Sequence, residues 1–336
     1  MKQELERTIQ QMSECGRGIL AADESTNTIK KRFESIHVES NEKNRQAYRE
    51  LLFTTSGLGE FISGVILFEE TLGQSTKAGV SFAKFLESEN MVPGIKVDSG
   101  LIPLANSANE KTTQGLDGLP ERLASYKDKG ARFAKWRTVF DIDAMRPTML
   151  ATKVNAESLA RYAAICQNQG IVPIVEPELL IDGEHSIERC QEASLRVFNA
   201  VFQALRLHKV TLEHMILKPS MVISGKACVQ QADVDTVARM TVETLLRTVP
   251  AAVPSINFLS GGQTAVEATA HLSSMNKQFP NLPWNLSFSY GRALQEPALQ
   301  AWGGKEENVK AAQNALFKRA KLNAAAAVGK YSQGME

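Results

Sequence analysis

Cysteine is scarce in this chain of 336 residues: there are four, Cys15, Cys166, Cys190 and Cys228, far apart and without a CxxC spacing. That excludes a disulfide framework and leaves reduced thiols in a cytosolic protein as the reading. No apolar run reaches the length that crosses a bilayer, and the charged stretch Met1-Lys2-Gln3-Glu4 precedes no leader-like core. The five histidines (His37, His185, His208, His214, His271) form no HxxxH or HExxH set, so no metal site is expected. An excess of one charge is also absent. The net charge is +1 with signs interspersed, so neither nucleic acid nor a membrane surface is expected as a partner. Linkers, repeats and low-complexity blocks are missing too, and one domain over residues 1–336 is the expectation.

What is present is a series of short buried runs. They are Gly18–Ala22, Gly64–Phe68, Gly94–Asp98, Ala131–Arg137, Gly170–Val175, His214–Lys218, Ile256–Leu259 and Leu286–Tyr290. Helical spacing fills the intervals. Residues 3–14 carry Leu5, Ile9 and Met12; Leu159, Tyr162, Ala163 and Cys166 precede the fifth run; Val197, Val201 and Leu205 precede the sixth; and Val234, Val237, Ala238, Thr241 and Leu245 precede the seventh. Eight buried strands alternating with helices predict parallel strands joined by crossovers. At this length the α/β class, as a (β/α)8 TIM barrel, is the leading architecture. An open doubly wound sheet is weakened by the lack of a GxGxxG after the first run.

The chain is organised around His214-Met215-Ile216-Leu217-Lys218-Pro219, an apolar strand that delivers one ammonium group at its C-terminal end. Burial favours the neutral amine, and a neutral amine attacks carbonyls to form a Schiff base. The plainer reading is a lysine that reaches water from a strand end. Other runs end in ionisable groups as well: Asp23, Glu69, Lys96, Lys135, Arg137, Glu176 and Glu178. Lys96 and Lys135 beside Lys218 would lower its proton affinity further by like-charge repulsion. Glu176-Pro177-Glu178 puts two carboxylates on one face of an extended backbone, either as acid and base or simply to balance the lysines. Ser260-Gly261-Gly262-Gln263 and Ser289-Tyr290-Gly291-Arg292 follow the last two runs, where barrels commonly bind phosphate, although a lone SGGQ is often only a turn. Ser25, Thr28, Arg32, Lys96 and Lys135 are read as a second anionic subsite on the opposite rim. Trp136 and Trp284 are read as packing residues.

These stretches carry a resemblance. Gly18-Ile-Leu-Ala-Ala-Asp-Glu-Ser25, Gly94-Ile-Lys-Val-Asp98, Phe133-Ala-Lys-Trp-Arg137, Ile171-Val-Pro-Ile-Val-Glu-Pro-Glu178, Leu217-Lys-Pro219, Phe258-Leu-Ser-Gly-Gly-Gln263 and Phe288-Ser-Tyr-Gly-Arg-Ala-Leu294 together resemble the class I, Schiff-base fructose-1,6-bisphosphate aldolases over nearly the whole chain. The resemblance implies a homotetrameric, metal-independent barrel enzyme with no cofactor. It would cleave fructose 1,6-bisphosphate reversibly into dihydroxyacetone phosphate and glyceraldehyde 3-phosphate. It implies Lys218 as the Schiff-base lysine and Glu176 as the principal acid and base. Asp23 and Lys135 would act around the carbinolamine and the C4 hydroxyl, with Glu178 and Arg137 supporting the charge network. Ser25, Thr28, Arg32 and Lys96 would meet the phosphate distal to the Schiff base. Ser260, Gly261, Gly262, Ser289, Gly291 and Arg292 would meet the other. Thr28 stands where relatives carry serine, which preserves the hydroxyl. The chain stops at Glu336 where many relatives continue to a terminal tyrosine, so cleavage is expected with slower proton exchange on the enamine. A non-catalytic sugar-phosphate binder on the same barrel is the alternative, and the presence of Lys218, Glu176 and Asp23 speaks against it.

Overall fold

Strands buried on both faces expose backbone donors and acceptors at their edges, and a sheet that closes on itself leaves none unpaired. The computed structural model, which describes residues 2–336, shows that solution. Its barrel strands are β1 (Gly18–Ala22), β2 (Ile62–Leu67), β3 (Val92–Lys96), β4 (Phe133–Phe140), β5 (Val172–Leu179), β6 (Ile216–Leu217), β7 (Ser255–Phe258) and β8 (Asn285–Tyr290). Each pairs in parallel with the next, and β8 pairs with β1 at Ile19↔Ser289 to complete the ring. The eight expected runs are thus the eight strands of a (β/α)8 barrel.

Alternation along each strand sorts the side chains. Leu20, Val65, Ile95, Trp136, Val175, Leu217 and Ile256 join the large core shared with the surrounding helices. Ile19, Ile66, Phe133, Val172, Ile174 and Ile216 form a separate interior cluster with Leu5, Ile9 and Met12 of the first helix, Lys2–Met12. That helix closes the barrel floor. Gly94 on β3 is fixed by this crowding, since a Cβ there would collide with the Phe133 ring. The helices before and after the later strands begin at side-chain caps: Thr148, Ser186, Asp233 and Thr264 each accept a backbone N–H three residues on. Thr264 and Glu267 complete a capping box.

Three details depart from the sequence reading. The sixth strand is shorter than His214–Lys218: only Ile216 and Leu217 pair, and His214 ends a 3₁₀ turn begun at Leu212. The fifth is longer and carries Glu176 and Glu178 inside its ladder. A two-stranded ribbon, Leu101–Pro103 against Lys111–Thr113, was not expected. Buried Glu110 pins it by accepting the N–H and Oγ1–H of Thr148. Trp136 and Trp284 pack as expected. Trp136 stacks on Tyr162, and the Trp284 indole N–H donates to the Pro250 carbonyl. Among the described residues, no helix is long and apolar enough to cross a membrane.

Candidate active site

The alternation that fills the floor with apolar side chains changes chemistry one layer up. Continuing the inward positions gives Asp23 beyond Ile19 and Ala21, Lys96 and Asp98 beyond Gly94, and Lys135 and Arg137 beyond Phe133. It gives Glu176 and Glu178 beyond Ile174, and Lys218 beyond Ile216. All of these line a cavity of about 710 Å³ at the C-terminal mouth of the barrel. Lys218 follows β6 directly, its N–H held by the Val175 carbonyl at 2.8 Å, and the residue is 3% exposed.

The charges alternate across this layer. Lys218 Nζ lies 3.2 Å from Glu176 Oε1, and the other oxygen of the same carboxylate lies 3.3 Å from Lys135 Nζ. Lys135 also meets Asp23 Oδ2 at 2.8 Å and Asp98 Oδ2 at 3.9 Å, while Asp98 Oδ1 lies 2.7 Å from Lys96. Arg137 pairs with Glu178. Four cations therefore face four carboxylates, which is how a protein tolerates so much buried charge. The lysines are not packed side by side, as like-charge repulsion required; Glu176 and Asp98 are interposed. Two carboxylate oxygens, Glu176 Oε2 and Asp98 Oδ2, are buried without a hydrogen bond. Each faces the Lys135 ammonium, at 3.3 and 3.9 Å respectively, without hydrogen-bond geometry.

Neighbouring charge fixes the state of two of these groups. Burial alone would raise the pKa of Asp23, but Lys135, Lys218 and Lys96 outweigh it and hold the carboxyl well below the usual range. Burial pulls Lys135 the other way, and Asp23, Glu176 and Asp98 outweigh it, so the ammonium is held well above its usual value. Asp23 is thus a fixed anion and Lys135 a fixed cation at neutral pH.

The anion-binding loops flank this layer. Gly261 and Gly262 have φ of +28° and +80°, backbone that favours glycine. Ser260 and Gly261 face the cavity, as do Ser289, whose buried Oγ has no partner, and Gly291. Gly262 and the exposed Arg292 lie instead in an adjoining outer cleft of about 640 Å³, with Lys226 and Asp182. The two-rim grouping also changes. Because β1 is hydrogen-bonded to β8, Ser25, Thr28 and Arg32 sit beside the Ser289–Gly291 loop, and only Lys96 and Lys135 stand across the mouth. Ser25 and Thr28 face each other at 3.1 Å between hydroxyl oxygens.

The Ser260 loop is braced from behind. Gln263 donates its amide N–H to the Ser260 carbonyl at 3.1 Å, and its amide oxygen lies 2.6 Å from His271 Nδ1. Burial pushes His271 down to about 4. Above pH 6.5 the ring is neutral in folded and unfolded chains alike and contributes no pH dependence. Between pH 6.5 and about 4 only the unfolded chain takes up the proton, so stability falls by about 1.4 kcal/mol per pH unit. Urea unfolding of a His271→Asn variant, which keeps a donor toward Gln263, should show an acid limb flatter by about 3 kcal/mol over that interval. Parallel limbs would contradict it.

Two residues at the site escaped the sequence reading. Asp98 had a signal, since it lies two positions beyond Lys96 and so on the same face. Glu24 had none, because its partners Arg32, Arg49 and Gln295 are brought to it by the fold.

A parallel barrel with an interior lysine against a carboxylate, flanked by loops suited to phosphate, is the architecture of a lysine-dependent barrel lyase. The family model described as glycolytic, class-I fructose-bisphosphate aldolase matches residues 4–336. A fructose-bisphosphate aldolase of Plasmodium falciparum is 53% identical over 99% of this chain and 92% of its own. A probable class 1 enzyme of Xanthomonas campestris pv. campestris is 52% identical over 98% of both, and Arabidopsis thaliana cytosolic aldolase 4 is 54% identical over 94% of this chain and 80% of its own. A solved structure of the Plasmodium falciparum aldolase, in complex with TRAP and a small-molecule inhibitor, superposes with a TM-score of 0.97 at 53% identity, covering 99% of this chain and 96% of that one. The chain belongs to the class I fructose-bisphosphate aldolases, lyases that work through a lysine Schiff base and use no metal cofactor.

Proposed function

We propose that Lys218 is the lysine that bonds to substrate. The observation that carries this is its position: buried, at the inner wall of the cavity, with Nζ 3.2 Å from Glu176. Its deprotonated amine adds to the C2 carbonyl of fructose 1,6-bisphosphate. Loss of water from the carbinolamine gives the iminium, whose positive nitrogen draws electrons as the C3–C4 bond breaks. The C4 hydroxyl gives up its proton, glyceraldehyde 3-phosphate leaves, and the enamine takes a proton at C3 before hydrolysis frees dihydroxyacetone phosphate. Glu176 is suited to carry protons on and off, since its carboxylate lies between two amines in the cavity, one oxygen facing Lys218 and the other Lys135. Asp23 and Lys135, fixed in charge, orient the carbinolamine and the C4 hydroxyl, and the Arg137–Glu178 pair steadies the wall. Ser260, Gly261, Ser289 and Gly291 hold the phosphate nearer Lys218. Ser25 and Thr28, with Gly262 and Arg292 in the outer cleft, serve the farther one from one side, Lys96 serves it from across the mouth, and Arg32 stands between.

The same reading takes the whole chain as one barrel domain, assembled as a homotetramer in the cytosol. Exposed Ile102, Met145, Met149 and Leu150 lie around the Glu110-pinned ribbon and offer an apolar interface. Borohydride reduction with dihydroxyacetone phosphate in EDTA, read by peptide mass spectrometry, tests the covalent step. The adduct is expected on Lys218 and only with substrate. Protein that binds the ligand but yields no adduct would leave a sugar-phosphate binder rather than a Schiff-base catalyst.

A further inference from the structure

The mechanism makes no use of the most heavily bonded buried carboxylate near the mouth. Glu24 follows Asp23 at the end of β1, and its side chain is 5% exposed. Oε1 accepts from Arg32 Nη1 and from Gln295 Nε2 at 2.9 Å, and Oε2 accepts from Arg49 Nη2 at 2.6 Å. Gln295 Nε2 also donates to the Ala21 carbonyl at 2.6 Å, and its amide oxygen accepts from the Tyr48 hydroxyl at 3.1 Å. Tyr48 in turn stacks on Trp302, with ring centroids 5.3 Å apart. Glu24 is therefore held by β1 and by two helices, Glu42–Phe53 and Arg292–Trp302, which carry these partners.

Arg32 is held quite differently. Its side chain is 20% exposed, and among the described residues its hydrogen bond is the one from Nη1 to Glu24. Nη2 lies 3.7 Å from where a Cβ on Gly291 would stand. One edge of the guanidinium is thus fixed by a rigid anion while the other faces the Ser289–Gly291 loop with its donors free. A planar fork fixed at one edge has its remaining donors aimed before any anion arrives.

We infer that Glu24 is a positioning residue for the reaction, setting Arg32 to meet a substrate phosphate at the β8 loop. This rests on the reading of Arg32 as a phosphate ligand. Glu24 touches no reacting atom, and its effect passes through Arg32. Glu24→Gln keeps the shape and an acceptor but removes the charge that orients the fork.

The test is a double-mutant cycle on the full chain, reading KM and kcat for fructose 1,6-bisphosphate and inhibition by inorganic phosphate. Glu24→Gln should raise KM and the phosphate inhibition constant together by about tenfold, with a smaller change in kcat. Arg32→Ala should raise both at least as much, and the double variant should be no worse than Arg32→Ala alone. A buried brace with no functional coupling would instead multiply the two effects, and that result overturns the proposal while leaving Arg32 as a ligand. An unchanged KM in Arg32→Ala sinks the ligand reading itself, and the proposal with it. Should Glu24→Gln fail to fold, Glu24→Asp retains the charge with a shorter reach. It is expected to raise KM in wild type and not on the Arg32→Ala background, and a KM rise on both contradicts the proposal.

Discussion

Replacing Lys218 with methionine should lower cleavage of fructose 1,6-bisphosphate by about 10⁵-fold or more, with the loss in kcat rather than in substrate binding. Methionine is unbranched and one atom shorter than lysine, and it fills most of the same space without an amine. Glu176 keeps Lys135 at 3.3 Å, so the carboxylate is not stranded and the fold should survive. The phosphate loops are untouched, so the variant should still bind substrate. A coupled assay with isothermal titration of the same protein separates the two effects. Activity within about a hundredfold of wild type would mean that covalent chemistry at Lys218 is not the route.

Lys135→Met should have the larger effect on stability. The ammonium is 4% exposed and stands among three carboxylates at 2.8, 3.3 and 3.9 Å. Removing it strands Asp23, whose one ion pair among the described residues is with Lys135, and an unmatched buried charge costs about 3–5 kcal/mol. Urea unfolding at pH 7 measures the loss. The sign of its pH dependence follows from Asp23. In wild type its depressed pKa contributes stability at neutral pH that is lost as the pH falls through the folded value. Without Lys135 the Asp23 pKa rises, and protonation relieves the strain. The gap between wild type and variant should therefore narrow below about pH 5. A loss under about 1 kcal/mol, or a gap that widens with acid, would show that the charge layer is more hydrated than its burial indicates.

Most of this site was legible because a barrel strand repeats every two residues. Counting inward positions places Lys135, Glu176 and Lys218 in one layer, and the apolar residues beneath them mark where that layer begins. Local glycine chemistry likewise marked the Ser260 loop. Less legible was whatever depends on ring closure. A (β/α)8 barrel closes β8 on β1, yet the grouping of Ser25, Thr28 and Arg32 on the opposite rim took no account of that closure, and they lie at the side of Gly291. Arg292 follows Gly291 directly, yet its side chain opens to the outer cleft. The short β6 was over-read because His214 and Met215 continue the apolar run, while the chain is in fact turning there. Glu24 lay hidden for the same reason as the ribbon at Leu101–Thr113. Its meaning comes from partners as distant in sequence as Gln295, and nothing near it signals them.

The helix over Lys2–Met12 bears on how the chain folds. Its apolar stripe, Leu5, Ile9 and Met12, belongs to one buried cluster with side chains of β1 through β6, and that cluster is complete only after Ile216 is in place. The segment at the start of the sequence is thus one of the last that can dock. A ribosome emitting this chain N-terminus first releases the cork well before the bottle. Until β6 arrives, those side chains have only transient company, and chaperones that favour short apolar stripes have their opening in that interval. Hydrogen exchange should accordingly find this helix among the first to open in the native protein, while the mouth, on the opposite end of the barrel, stays closed.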